Sequence, residues 1–122
     1  MRSVVLLMAL SLLVAVQAGQ GAYAFMTRMI EGKKWVRNDS LGPKVYAVVF
    51  ADEAKGEDTM ALWSPNPFAY VRINNTERGL TFYDVYGTKR FVPYNKMRTS
   101  HLPVPLGESP IYVVGHALFA VA

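Results

Sequence analysis

The chain has 122 residues, enough for one compact domain and too few for a catalytic barrel or a doubly wound fold. Lys and Arg number 13 against 9 Asp and Glu, a net charge of +4 spread thinly rather than gathered into the basic stripe that nucleic-acid binding requires. Cysteine is absent, which excludes disulfides, thiol catalysis, thiolate zinc sites and a lipidated cysteine anchor.

The first predicted element is an export signal. Met1-Arg2-Ser3 is short and positively charged, residues 4–16 are apolar apart from Ser11, and Val16-Gln17-Ala18 closes the run with compact residues. Those are the three parts of a secretory signal peptide cleaved after Ala18. The apolar run is shorter than the roughly 20 residues of a spanning helix, so no stable membrane insertion is expected. The mature protein is therefore expected to be secreted or periplasmic. Ala22-Tyr23-Ala24 offers a second cleavage point. Removal of the signal takes Arg2 with it and lowers the net charge from +4 to +3.

Residues 22–31 (AYAFMTRMIE) place Tyr23, Met26, Met29 and Ile30 at helical spacing, and Gly32 stands where a helix would stop. One short amphipathic helix is expected here. From Lys33 the period changes to two. Residues 44–51 (KVYAVVFA) are β-branched and aromatic on both alternating faces, the pattern of a central strand covered on both sides. Residues 52–58 (DEAKGED) form a charged turn, and residues 59–64 (TMALWS) return as the partner strand.

Pro65-Asn66-Pro67 breaks the chain, after which residues 68–74 (FAYVRIN) alternate. Ala69, Val71 and Ile73 share one face, and Tyr70 and Arg72 the other. Residues 80–86 (LTFYDVY) are the next strand, ended by Gly87, and residues 89–93 form a short one. Residues 97–104 make a weak strand whose Pro103, with Pro105 beyond it, assigns it to an edge. Residues 110–115 (PIYVVG) are again continuously apolar. Six to eight short strands with turns about every ten residues predict an all-β fold, a small antiparallel β-sandwich preceded by one short helix and a signal peptide. The organisation expected is a signal peptide over residues 1–18, a short helix and linker over 19–32, and the sandwich over 33–122.

No catalytic, cofactor-binding or metal site is expected. The cluster Asp52, Glu53, Glu57 and Asp58 lacks the spacing that wraps oxygens around calcium, and Lys55 in its midst repels a cation. It reads as a solvated hairpin tip. Neither His101 nor His116 has a second ligand at zinc spacing. Ser109 lies in G-E-S-P, where Pro110 replaces the glycine that a nucleophile elbow needs. Asn38-Asp39-Ser40 and Asn74-Asn75-Thr76 satisfy the N-x-S/T glycosylation pattern, and both are expected in turns.

The aromatics Trp35, Trp63, Phe68, Tyr70, Tyr83 and Tyr86 raise the question of sugar binding, since pyranose C–H faces stack on exposed rings. Core packing is the expectation for the group, with Trp63 between the sheets. Tyr70 and Arg72, sharing one strand face, are the candidate sugar contacts.

Three segments together resemble one family. Residues 106–113 (LGESPIYV) are similar to the closing strand of the β-sandwich found at the C-terminal end of many glycoside hydrolases. Residues 82–87 (FYDVYG) resemble a strand-turn of that domain, in which D-x-x-G follows a hydrophobic strand. Residues 45–50 (VYAVVF) with 60–64 (MALWS) resemble its early hairpin, which ends in a tryptophan strand. The likeness extends over residues 22–115, and AYAFMTRMIEG is similar to the last helix of the (β/α)8 catalytic barrel that precedes such a sandwich. Here a signal peptide stands in place of the barrel. The family's acid and nucleophile lie in the barrel, so the resemblance carries no catalytic residue to any position of this chain.

What the resemblance implies is an accessory domain that is not an enzyme, structural or docking in role, with a glycoside hydrolase barrel as partner. The alternative is a stand-alone carbohydrate-binding module with a glycan as partner. Tyr23, Phe25, Met26, Met29 and Ile30 are the candidate partner-facing residues, because a helix that once covered a barrel would expose its apolar side when alone. Of the acids outside the hairpin tip, Asp84 and Glu108 are the pair whose approach in space a hydrolytic reading would need.

Overall fold

The computed structural model describes residues 24–74, 78–94 and 101–121. Over these residues it is a two-sheet, all-antiparallel β-sandwich with one helix, as the alternation and turn spacing predicted. The helix, α1, covers residues 24–30. Nine strands follow among the described residues: β1 (Lys34–Ser40), β2 (Tyr46–Asp52), β3 (Glu57–Trp63), β4 (Tyr70–Asn74), β5 (Leu80–Tyr83), β6 (Lys89–Val92), β7 (His101–Pro105), β8 (Ile111–Gly115) and β9 (Ala120–Val121). A six-stranded sheet has the order β1-β2-β3-β8-β5-β6, and a three-stranded sheet the order β7-β4-β9.

The main core lies between the sheets. Ala47, Val49, Met60, Leu62, Val113 and Leu80 of the large sheet meet Val71, Ile73 and Val104 of the small one, joined by Leu106 and Leu118. The alternate residues of the same large-sheet strands make a second core on the opposite face. Val48, Phe50, Ala61, Trp63 and Tyr112 pack there with Met26 and Met29 of α1 and with Val85. Strands β2, β3 and β8 are apolar at consecutive positions because both of their faces are covered, one by the small sheet and one by α1.

That second core corrects one expectation. Trp63 is buried, with 5% of its surface exposed, but on the α1 side of the large sheet rather than between the sheets. Parity along β3 decides it: Leu62 and Met60 turn to the small sheet, so Ala61 and Trp63 must turn away. Tyr46, directly across from Trp63 on β2, stacks on its ring with centroids 5.4 Å apart.

Helix α1 stops where expected. Gly32 has φ +73°, and Lys33 N–H donates to the Ile30 carbonyl at 3.1 Å. The Lys33 ammonium then donates to Thr59 Oγ1 on β3 at 2.8 Å, pinning the exit from the helix over the sheet. Burial holds the Lys33 pKa below its ordinary value, although Asp52 and Glu57 pull it up.

Two further boundaries differ from expectation. Residues 38–40 belong to edge strand β1, with Asn38 opposite Val48, rather than to a turn. Strand β5 ends at Tyr83 because Asp84 bends the chain: its Oδ1 accepts the N–H groups of Tyr86 and Thr88, both at 2.9 Å. The proline-bearing β7 is an edge strand of the small sheet, in line with the sequence. Residues 97–100 of the predicted strand lie outside the described residues.

After β8 the chain crosses from the large sheet to the small one, and polar side chains staple the crossing. Asp58 Oδ2 accepts Leu118 N–H at 3.1 Å, and Arg37 donates to the Leu118 carbonyl at 2.7 Å. Asn74 donates to the Ala117 carbonyl at 3.0 Å and accepts Phe119 N–H at 2.7 Å. The crossing leaves β9 beside β4, closing the small sheet.

Candidate functional site

The residues singled out from sequence fall at two places, the junction of α1 with the large sheet and the outer face of the small sheet. At the junction, Met26 and Met29 are buried and Phe25 and Ile30 half-buried, all four packed against the chain's own sheet. Helical spacing put them on one face, but that face meets β2, β3 and β8 rather than solvent. They are therefore not the exposed, partner-facing patch expected of them. Tyr23 lies outside the described residues.

Phe25 sits where three segments converge. Its ring lies 5.7 Å from that of Tyr83 and 5.7 Å from that of Tyr112, edge-on to the latter. A Cβ built on Gly87 would stand 2.9 Å from the Phe25 ring, and Gly87 has φ +93°. Glycine is needed there twice, for the backbone angle and for the ring's approach. Below this contact the Tyr112 hydroxyl is buried without a hydrogen-bond partner among the described residues, and burial pushes its pKa well above the ordinary phenol value.

On the outer face of the small sheet, alternation along β4 presents Tyr70 and Arg72 to solvent while Val71 and Ile73 enter the core. The strand register sets their neighbours. Tyr70 stands opposite Pro105, and Arg72 lies between Pro103 of β7 and Val121 of β9. Tyr70 is 53% exposed, and Phe68, just before the strand, is 88% exposed. The loop holding Phe68 is ordered by its own hydrogen bonds: Asn66 Oδ1 accepts Phe68 N–H at 3.0 Å, and Ser64 Oγ accepts Asn66 N–H at 3.1 Å. Pro103, Pro105 and Val121 were not recognised from sequence as members of this face. Their own residue types carry no such signal, and only the pairing with β4 brings them there.

Four of the acids are engaged in holding the fold. Asp39 pairs with Arg37 at 2.9 Å, Asp52 Oδ1 accepts Lys55 N–H at 3.2 Å, Asp58 staples Leu118, and Asp84 caps its turn. The acidic hairpin is thus less of a free tip than its sequence suggests, since the turn proper spans residues 53–56 and Glu57 and Asp58 begin β3. Burial raises the Asp84 pKa, but hydrogen bonds from Thr88, Tyr86 and Gly87 together outweigh it, so the carboxyl lies below its ordinary value. Glu108 is exposed on the loop before β8.

His101 meets Phe119 edge-on at 5.5 Å, and His116 Nδ1 lies 3.2 Å from the Gly56 carbonyl. Among the described residues no group of His, Asp or Glu is placed to hold a metal ion, and no helix is long and apolar enough to cross a membrane.

The two sequons also lie in structured positions. Asn38 Oδ1 accepts the Trp35 indole N–H at 3.0 Å within β1. Asn74 is buried at the end of β4, its amide nitrogen engaged by the Ala117 carbonyl.

No protein-family model matches the chain, and comparison with curated proteins and with solved structures found no similar protein.

Proposed function

We propose that this chain is a secreted, non-catalytic β-sandwich that serves as an accessory domain, similar to the C-terminal sandwich of a glycoside hydrolase, in a structural or docking role beside a (β/α)8 barrel made as a separate chain. The observation that carries the reading is the seat of Phe25. Two of the three segments that carry the resemblance, residues 82–87 and 106–113, meet the helix that is similar to a barrel's last one, where Phe25 contacts Tyr83, Gly87 and Tyr112. In FYDVYG the aspartate caps a turn and the glycine admits a ring, so D-x-x-G has a structural rationale rather than a catalytic one. The engagement of four acids in turns, an ion pair and a staple supports the non-enzymatic reading.

Co-expression with a barrel-only glycoside hydrolase encoded in a neighbouring reading frame tests it. The reading expects the two chains to co-elute in size-exclusion chromatography, and the purified chain alone to leave aryl glycosides and polysaccharides unhydrolysed. Separate elution would remove the docking role. Hydrolysis by the isolated chain that is lost in Asp84→Asn or Glu108→Gln would overturn the non-enzymatic reading. N-terminal sequencing of the exported protein should begin at Gly19 or within a few residues after it.

A second reading, a carbohydrate-binding module, draws on a separate observation. The exposed Tyr70 and Arg72 share the open face of the small sheet.

A further inference from the structure

We propose that the outer face of the three-stranded sheet binds an acidic oligosaccharide, with Arg72 pairing the carboxylate of one sugar and Tyr70 stacking on a pyranose face. The proposal rests on the carbohydrate-binding reading and names the class of glycan.

Size argues first. Two strands of five residues and one of two, about 4.8 Å apart and rising about 3.4 Å per residue, make a face of roughly 200 Å². A stable protein partner needs about 800 Å² on its side. The face is far too small for a protein to hold by itself, and it suits a narrow, extended ligand. A second copy of the chain is disfavoured on charge as well, because a two-fold pairing of this face would set Arg72 against Arg72.

Charge argues next. Strands β4 (YVRIN), β7 (HLPVP) and β9 (AV) contain no acidic residue, and Arg72 is their one Lys or Arg. Among the described residues no ion pair engages Arg72. Its neighbours across the sheet are Pro103 and Val121, neither of which has a side chain that can accept a hydrogen bond. A neutral glycan lying on this face would offer the guanidinium hydroxyl acceptors, whose hydrogen bonds are roughly half as strong as those to an ionised acceptor. A planar carboxylate returns two parallel N–H···O bonds in the geometry a guanidinium prefers.

Shape completes the argument. Tyr70 and Pro105 form a flat apolar step beside Arg72, in register across β4 and β7. A pyranose C–H face can rest on that step while its carboxylate reaches Arg72. The strands fix the backbone under both groups, so binding has to order only the two side chains.

Isothermal titration of the full chain with oligogalacturonate and with a neutral cello-oligosaccharide of equal length tests the proposal. Oligogalacturonate should bind and the neutral oligosaccharide should not. Arg72→Gln and Tyr70→Ala should each weaken binding by about tenfold, the scale of one charge-assisted contact. Both side chains are exposed, so the variants should keep the parent melting temperature. Tyr86→Ala, an exposed aromatic in the turn between β5 and β6, should bind as the parent does. Equal binding of the neutral oligosaccharide would overturn the acidic class while leaving a carbohydrate-binding module standing. No binding of either glycan, or binding unaffected by both substitutions, would overturn this face as a site. Comparable binding of dextran sulfate, unaffected by Tyr70→Ala, would reduce the effect to net charge and also overturn it.

Discussion

On the outer side of the six-stranded sheet, Val48, Phe50, Ala61, Trp63 and Tyr112 lie beneath α1, whereas on the outer side of the three-stranded sheet Tyr70, Arg72 and Val121 meet solvent. An antiparallel sheet commonly keeps one face wet, and the small sheet does so. The large sheet departs from that habit, and its strands show why. Residues 47–50 of β2 and 59–63 of β3 are buried without interruption, while β4 alternates between buried and exposed positions until its last residue. A sheet of the first kind has to be covered by something, and in this chain a seven-residue helix supplies the cover. The covered face contributes stability, and the open face keeps Tyr70 and Arg72 in solvent.

The largest expected effect that can break this contrast is Trp63→Ala. It should cost about 3–5 kcal/mol in urea unfolding, comparable with the whole stability of a small domain. A loss below about 1 kcal/mol would mean that the α1 side is not a packed core. Next is Gly87→Ala, which forces a Cβ into the Phe25 ring at a positive φ and should cost about 1–3 kcal/mol. If its melting temperature matched the parent's, the seat of Phe25 would be wrong.

A gain, rather than a loss, is expected of Tyr112→Phe. The hydroxyl is buried without a partner among the described residues, and removing it should raise stability by about 1 kcal/mol. A loss of that size would reveal an acceptor for it beneath the helix.

Smallest is the acid response of the turn beside that seat. The Asp84 carboxyl lies below its ordinary value of 3.8 in the fold, so its contribution is present above that pH. The contribution is lost as pH falls through the lower, folded value. Asp84→Asn should therefore flatten the acid limb of the stability profile without changing its neutral plateau by more than a fraction of a kcal/mol. An unchanged acid limb would mean that the turn's hydrogen bonds do not favour the charged carboxylate.

Much of this contrast was legible in the residues, and the remainder was not for identifiable reasons. The apolar run in residues 45–51 called for cover on both faces, residues 110–115 were continuously apolar, and alternation in residues 68–74 separated Tyr70 and Arg72 from Val71 and Ile73. What was not legible was which element covers which face. Where both faces of β3 are apolar, parity places Trp63 opposite Leu62 but cannot say which of them meets α1. The helix itself was readable from spacing, yet its apolar stripe looks the same whether it packs on a partner or on its own sheet. Residues 38–40 (NDS) have turn chemistry, and pairing with β2 overrides it. Asp84 and Gly87 looked like the end of a strand, and they proved to be a cap and the seat of a ring.

The apolar stripe of α1 belongs to the chain's own core, and placing a charge first on its buried side and then on its exposed side puts that to the test. Met26 is 2% exposed and its neighbour Thr27 faces solvent, so Met26→Asp and Thr27→Asp add the same charge on opposite sides. Melting temperatures of the two full-length variants should differ widely. Met26→Asp buries an uncompensated carboxylate and should fall by roughly 15 °C or more, or fail to fold, while Thr27→Asp should stay within about 4 °C of the parent. Equal, small shifts in both variants would contradict the account and return the helix to solvent or to a partner.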